Sequence, residues 1–187
     1  MLRCLYLLLV MSCGWLETGF ALPSRVIFVR GAEPIEHGLG LSLKGKERAE
    51  AFVPFFLGRE FLQDFGPPAT IIAHRPSQKE PSRSYIDAVT PLANALGIKV
   101  DTQFGHTEYE AMVNYVRDFE DFDGKTILIS WDNDDLALMV ALFGVKPKPL
   151  PWPEQAYDRL WIIDFQQQGK ARFKNLPQRL LYGDSFM

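Results

Sequence analysis

Short apolar runs alternate with helix-patterned stretches along most of the chain, and this alternation constrains the fold more than any other feature. Residues 25–29, 69–73 and 125–131 are apolar runs of strand length. Residues 42–57 can place Leu43, Ala49, Phe52, Phe55 and Phe56 on one helical side, with Ser42 as N-cap. Gly66-Pro67-Pro68 breaks the pattern, residues 75–81 form a polar loop, and residues 82–96 predict a helix ended by Gly97. Residues 99–102 suit a short edge strand, and residues 109–119 and 134–143 suit helices, the second closed by Gly144. Residues 146–153 are too rich in proline for regular helix. Residues 160–165 and 171–174 flank a polar turn and predict a β-hairpin. The expected class is α/β: a three-layer αβα sandwich on a mostly parallel central sheet, with antiparallel pairing at its end.

The chain has 187 residues, enough for one domain with a substantial core, and no shift in composition marks a second. Its net charge is −3 and its basic residues are scattered, which argues against a nucleic-acid partner. The N-terminus has the pattern of an export signal. Arg3 is followed by an apolar run over residues 4–11, and Gly19-Phe20-Ala21 has the small-x-small spacing of a signal-peptidase site. Cleavage there gives a signal peptide over residues 1–21 and one domain over residues 22–187, beginning at Leu22. The expected location is therefore outside the cytoplasm, periplasmic or secreted. The apolar run is short for a permanent membrane anchor. Two other readings stay open: a buried N-terminal helix, and a lipobox at Val10-Met11-Ser12-Cys13, which Met11 fits poorly. Only lipidation of Cys13 would bring a membrane into the picture. Both cysteines, Cys4 and Cys13, lie in this segment, so the domain itself has no disulfide, thiolate metal site or cysteine nucleophile.

Arg25-Val26-Ile27-Phe28-Val29 runs into Arg30-Gly31-Ala32-Glu33. Charged and small residues after a buried strand are where open α/β sheets place ligand sites. The stretch resembles the signature of the histidine phosphatase (phosphoglycerate mutase-like) superfamily, in which the strand ends Arg-His-Gly/Ala-Glu. The resemblance continues through Leu41-Ser42-Leu43-Lys44-Gly45, Arg48-Ala49, Ile71-Ile72-Ala73, Ser82-Arg83-Ser84-Tyr85 and Val89-Thr90-Pro91-Leu92-Ala93. It ends with the strand Lys125–Trp131 and the closing Leu180-Leu181, Gly183-Asp184, similar to a small bacterial subgroup. Each motif alone is weak, but their order and spacing imply a phosphoglycerate mutase-like fold over about residues 25–184.

In that family two histidines and two arginines converge on one phosphoryl group, the first histidine attacking phosphorus and a separate carboxylic acid protonating the leaving group. The resemblance carries Arg30 and Arg83 across as the phosphate-binding arginines. It puts Gly31 at the nucleophile position and Asn133 at the second histidine. Glycine forms no phosphoryl intermediate, and asparagine donates a hydrogen bond without a charge. Neither catalytic histidine is then present, and the expected protein is a catalytically degenerate pseudophosphatase. It would bind a small phosphorylated or carboxylated ligand through Arg30, Arg83 and Asn133. The rival expectation is a weak phosphomonoester hydrolase with a relocated nucleophile, drawn from His74 or His106, or an activated water. Glu108 and Glu110 are the candidate acids by location, Glu108 first. Glu33 reads as structural, and Asp132 to Asp135 as a helix cap rather than a cation site. No cofactor and no metal are expected, and the protein partner is unknown. On this reading, replacing Gly31 and Asn133 by histidine should rebuild some activity.

Overall fold

The computed structural model of the protein describes residues 22–58, 66–166 and 170–185. The proposed signal sequence, the lipobox and both cysteines fall outside those residues.

The sheet has six strands: β1 (Arg25–Arg30), β2 (Thr70–Ala73), β3 (Val100–Asp101), β4 (Thr126–Trp131), β5 (Arg159–Phe165) and β6 (Ala171–Pro177). Their spatial order is β3-β2-β4-β1-β5-β6. The first four lie parallel, and β5 and β6 are added antiparallel to β1 and to each other. The central strands β1 and β4 are apolar and fully covered along almost their whole length, as a parallel sheet covered on both faces requires. The expected hairpin is present, its second strand running three residues beyond the predicted end at Lys174 because register with β5 holds to Pro177.

Helices α1 (Leu43–Gly58), α2 (Ser84–Leu96), α3 (Tyr109–Asp118) and α4 (Asn133–Leu142) cover the two faces. Phe52, Phe55 and Phe56 of α1 pack with Val89 and Leu92 of α2 over Ile27 and Leu128. On the other face Met112 and Val116 of α3 pack with Leu136 and Val140 of α4 over Phe28 and Ile129. These two cores, one on each face, make the three layers. The first turn of α1 shows why its sequence reads as it does. Ser42 Oγ accepts from Gly45 N at 3.1 Å and donates to Glu33 O at 3.0 Å. A Cβ at Gly45 would lie 2.2 Å from that same carbonyl oxygen, so only glycine lets the helix approach this closely.

Candidate functional site

The ends of the parallel strands define the site. Arg30 pairs with Trp131 and Ala73 with Ser130, so Arg30-Gly31, His74 and Trp131-Asp132 leave the sheet side by side. The first turn of α2, carrying Ser84 and Tyr85, covers them. This is the carboxyl edge of the sheet, where ligand sites in such folds are built.

Gly31 is buried, and the space beyond it is filled. An ideal Cβ at Gly31 would sit 2.9 Å from Ser84 Oγ, 2.9 Å from Tyr85 Cδ1 and 3.1 Å from Tyr85 Cε1. Tyr85 is itself locked in place. Its hydroxyl donates to Asp132 Oδ2 at 2.5 Å, and its ring lies 4.1 Å from that of His74. Burial, reinforced by the Asp132 carboxylate, pushes the phenol far above its ordinary range, so Tyr85 stays protonated and donating. A histidine at Gly31 would have to displace the Tyr85 ring, so the side chain needs room that the ring now occupies.

The two candidate arginines have separate partners. Arg30 Nη1 donates to the Glu154 carbonyl, and its guanidinium lies 4.0 Å from the centroid of the Tyr157 ring. Arg83 is 59% exposed and pairs with Asp87 at 3.5 Å, one turn along α2. Neither pairs with Glu33 or Asp132, the carboxylates nearest in the motif pattern. Asn133 opens α4, where its Nδ2 donates to Asp134 Oδ1 at 2.9 Å. Asp132 caps the same helix, its Oδ1 accepting from Asp134 N at 2.9 Å.

Glu108 is held in a way that opposes an acid role. Its Oε2 accepts from Gly105 N at 2.6 Å and from Arg75 Nη2 at 2.9 Å. The Gly105 amide first, then the Arg75 charge, hold its carboxyl below the usual range. A general acid needs its proton near neutral pH, and this environment removes it.

The three histidines of the chain have different surroundings. His37 is exposed. His74 is completely buried beneath Tyr85, its Nδ1 lying 3.3 Å from Arg75 O, and burial lowers its pKa. His106 is half-buried, with Nε2 3.3 Å from Asp135 Oδ2 and its ring 5.4 Å from that of His74. Burial raises the Asp135 carboxyl. Among the described residues no group of three or more His, Cys, Asp or Glu is placed to hold a metal ion.

Glu33, at the end of the signature, is part of a buried network that sequence reasoning missed. Arg48 is 1% exposed and donates to Glu33 (2.7 Å), to both carboxylate oxygens of Asp184 (2.8 and 3.0 Å) and to Gln178 Oε1 (3.2 Å). Burial works against the Arg48 charge, but the hydrogen bonds to Asp184 and Glu33 outweigh it and raise its pKa. Asp184 also accepts from the amides of Leu180 and Leu181, which fixes the chain end onto the signature loop. Away from Gly31, a groove of about 430 Å³ lies between the loop after β1, α1 and α2, lined by Ile35, Leu41, Lys46, Glu50, Asp87 and Pro91 among others.

No family model matches the chain, and no curated protein matches it. Solved structures do. An Escherichia coli protein assigned as an alpha-ribazole-5'-phosphate phosphatase aligns with TM-score 0.59 at 12% identity, over 85% of this chain and 98% of its own. An alpha-ribazole phosphatase from Shigella flexneri aligns with TM-score 0.52 at 12% identity, over 84% and 98%. A mycobacterial glucosyl-3-phosphoglycerate phosphatase aligns with TM-score 0.54 at 10% identity, over 82% and 97%. The chain has the phosphoglycerate mutase-like α/β fold of the histidine phosphatase superfamily, to which these neighbours belong.

Proposed function

We propose that this protein is an exported pseudophosphatase: it keeps the histidine phosphatase fold, binds a small phosphorylated or carboxylated ligand at the carboxyl edge of the sheet, and does not turn it over. One observation carries the reading. The nucleophile position is Gly31, and the volume a side chain would need there belongs to Ser84 and Tyr85. A constellation that loses its nucleophile loses most of its rate, because its members act as a unit. Arg30 closes β1 with its guanidinium on the Tyr157 ring, and Arg83, just before α2, is held by an exposed and therefore weak pair with Asp87, which leaves both arginines as the candidate anion ligands. Export rests on the N-terminal pattern of Arg3, the apolar run and Gly19-Phe20-Ala21.

The test is direct. The purified protein is expected to give no turnover of aryl or sugar phosphates, and a thermal shift with phosphate or sulfate that disappears in Arg30→Ala and weakens in Arg83→Ala. Robust turnover sinks the pseudophosphatase reading. The absence of any arginine-dependent shift sinks anion binding. A second reading, a weak phosphomonoester hydrolase working through activated water, draws on His106, whose half-exposed ring nitrogen lies 3.3 Å from an Asp135 carboxylate oxygen, a pairing that suits a general base. Phosphatase activity abolished by His106→Ala would put that reading in place of the first.

A further inference from the structure

The outer flank of α1 carries a pattern that its own domain does not use. Leu43, Lys46, Glu50, Val53 and Leu57 recur at alternating three- and four-residue spacing, the repeat along which two helices pair. The residues of α1 that pack on the core, Ala49, Phe52 and Phe56 among them, occupy a different arc of the helix. Along the stripe Leu43 is 76% exposed and Leu57 44%, Lys46 and Glu50 are exposed, and Val53 is half-buried. Large exposed leucines at both ends of one stripe differ from the single apolar residues scattered over an ordinary surface.

The groove of about 430 Å³ between α1 and α2 runs beside the stripe, and Lys46 and Glu50 are part of its lining. The loop over residues 35–40 borders it. Ile35 N donates to Gly40 O at 3.1 Å and Arg83 N donates to Leu39 O at 2.7 Å, which fixes the loop with the Leu39 side chain 51% exposed. One face therefore carries both a hollow and exposed apolar side chains. Its charges show what fits there. Lys46 and Glu50 stand in the less favourable order for pairing along one helix, and neither forms an ion pair among the described residues. Turned end for end about a two-fold axis at the level of Arg48, two α1 helices set Lys46 of each opposite Glu50 of the other. The same register sets Leu43 opposite Val53. A face that carries its own complement in this way is what an isologous contact requires.

We propose that α1 is a self-association face: a second copy of this chain docks antiparallel along the stripe, with Lys46 and Glu50 paired across the axis. With 16 residues, α1 is about 24 Å long, which puts the contact at the small end of specific interfaces and makes the dimer weak, with a dissociation constant on the order of 10–100 µM. Asp87, which lines the groove from α2, is also the partner of Arg83, so the dimer face adjoins a candidate anion ligand. Sedimentation velocity of the purified protein from about 1 µM to 1 mM should show a monomer passing to a dimer. Lys46→Glu crowds carboxylates around the axis and should weaken the dimer at least about tenfold. Adding Glu50→Lys restores the pairs with their signs exchanged and should recover it. Carbodiimide treatment of mixed isotopically heavy and light protein should join Lys46 of one copy to Glu50 of the other. That crosslink needs no substitution, so it decides even where a variant fails to fold. A monomer at every concentration, a dimer that Lys46→Glu leaves unchanged, a charge exchange that does not restore it, or no crosslink between heavy and light copies each overturns the inference.

Discussion

Gly31→Ala tests whether the space beside Gly31 is closed by its neighbours. The added Cβ meets Ser84 Oγ and Tyr85 Cδ1 at 2.9 Å each, well inside ordinary contact distance. Relief needs a shift of about half an ångström in a ring that is held at both ends, by Asp132 at its hydroxyl and by His74 at its face. Overpacking of this kind costs about 1–3 kcal/mol. Replacing glycine returns about 0.4–1 kcal/mol by restricting the unfolded chain. The balance is a net loss of about 1–2 kcal/mol, read as a fall in Tm of about 2–8 °C for a chain this long. The assay is urea denaturation of four proteins: the unmodified chain, Gly31→Ala, Tyr85→Ala and the double variant. In the Tyr85→Ala background much of the Gly31→Ala penalty should disappear, giving a coupling of about 1 kcal/mol. A neutral Gly31→Ala, or the same penalty in both backgrounds, would refute the claim that Tyr85 closes this position.

Two further predictions concern the buried charges. Arg48→Met should destabilise the domain by about 3–5 kcal/mol in chemical denaturation, because it strands the Glu33 and Asp184 carboxylates that Arg48 now satisfies; a change below about 1 kcal/mol would mean that this network does not anchor the chain end. His74 has its pKa lowered by burial, so the unfolded chain binds this proton more readily than the folded one. Its contribution is complete above the unfolded value of about 6.5 and is lost as pH falls from there towards the depressed folded value. Stability measured between about pH 7 and 5 should therefore decline, with a shallower slope in His74→Leu, and identical slopes would remove His74 as the cause.

The fold was legible because its signals are local. The apolar runs at Val26–Val29 and Ile127–Trp131, the cap at Ser42 and the polar turn before Ala171 each act within a few residues, and each produced the expected element. The site was legible only as a set of positions. Tyr85 stands in a motif read for Arg83, and nothing near it in sequence shows that its ring fills the space beside Gly31. That contact arises because β1 ends where α2 begins, a consequence of sheet order. The same applies to Arg48, whose partners Glu33 and Asp184 lie far apart along the chain. The partner of Arg30 was also out of reach, because Tyr157 sits on an arch after a proline-rich stretch whose path is set by the burial of Trp152. Glu33 and Asp132, the carboxylates nearest to Arg30 in the motif pattern, are engaged by Arg48 and by the Tyr85 hydroxyl instead.

The central claim is that this fold no longer supports a phosphohistidine. The most direct measurement is to incubate the purified protein with an aryl phosphate radiolabelled in its phosphoryl group, quench within milliseconds to minutes, and measure acid-labile phosphate on the chain. The account predicts none above background at any time point. Stoichiometric acid-labile phosphate, mapped to His74 or His106, would contradict it and show that the nucleophile moved rather than vanished.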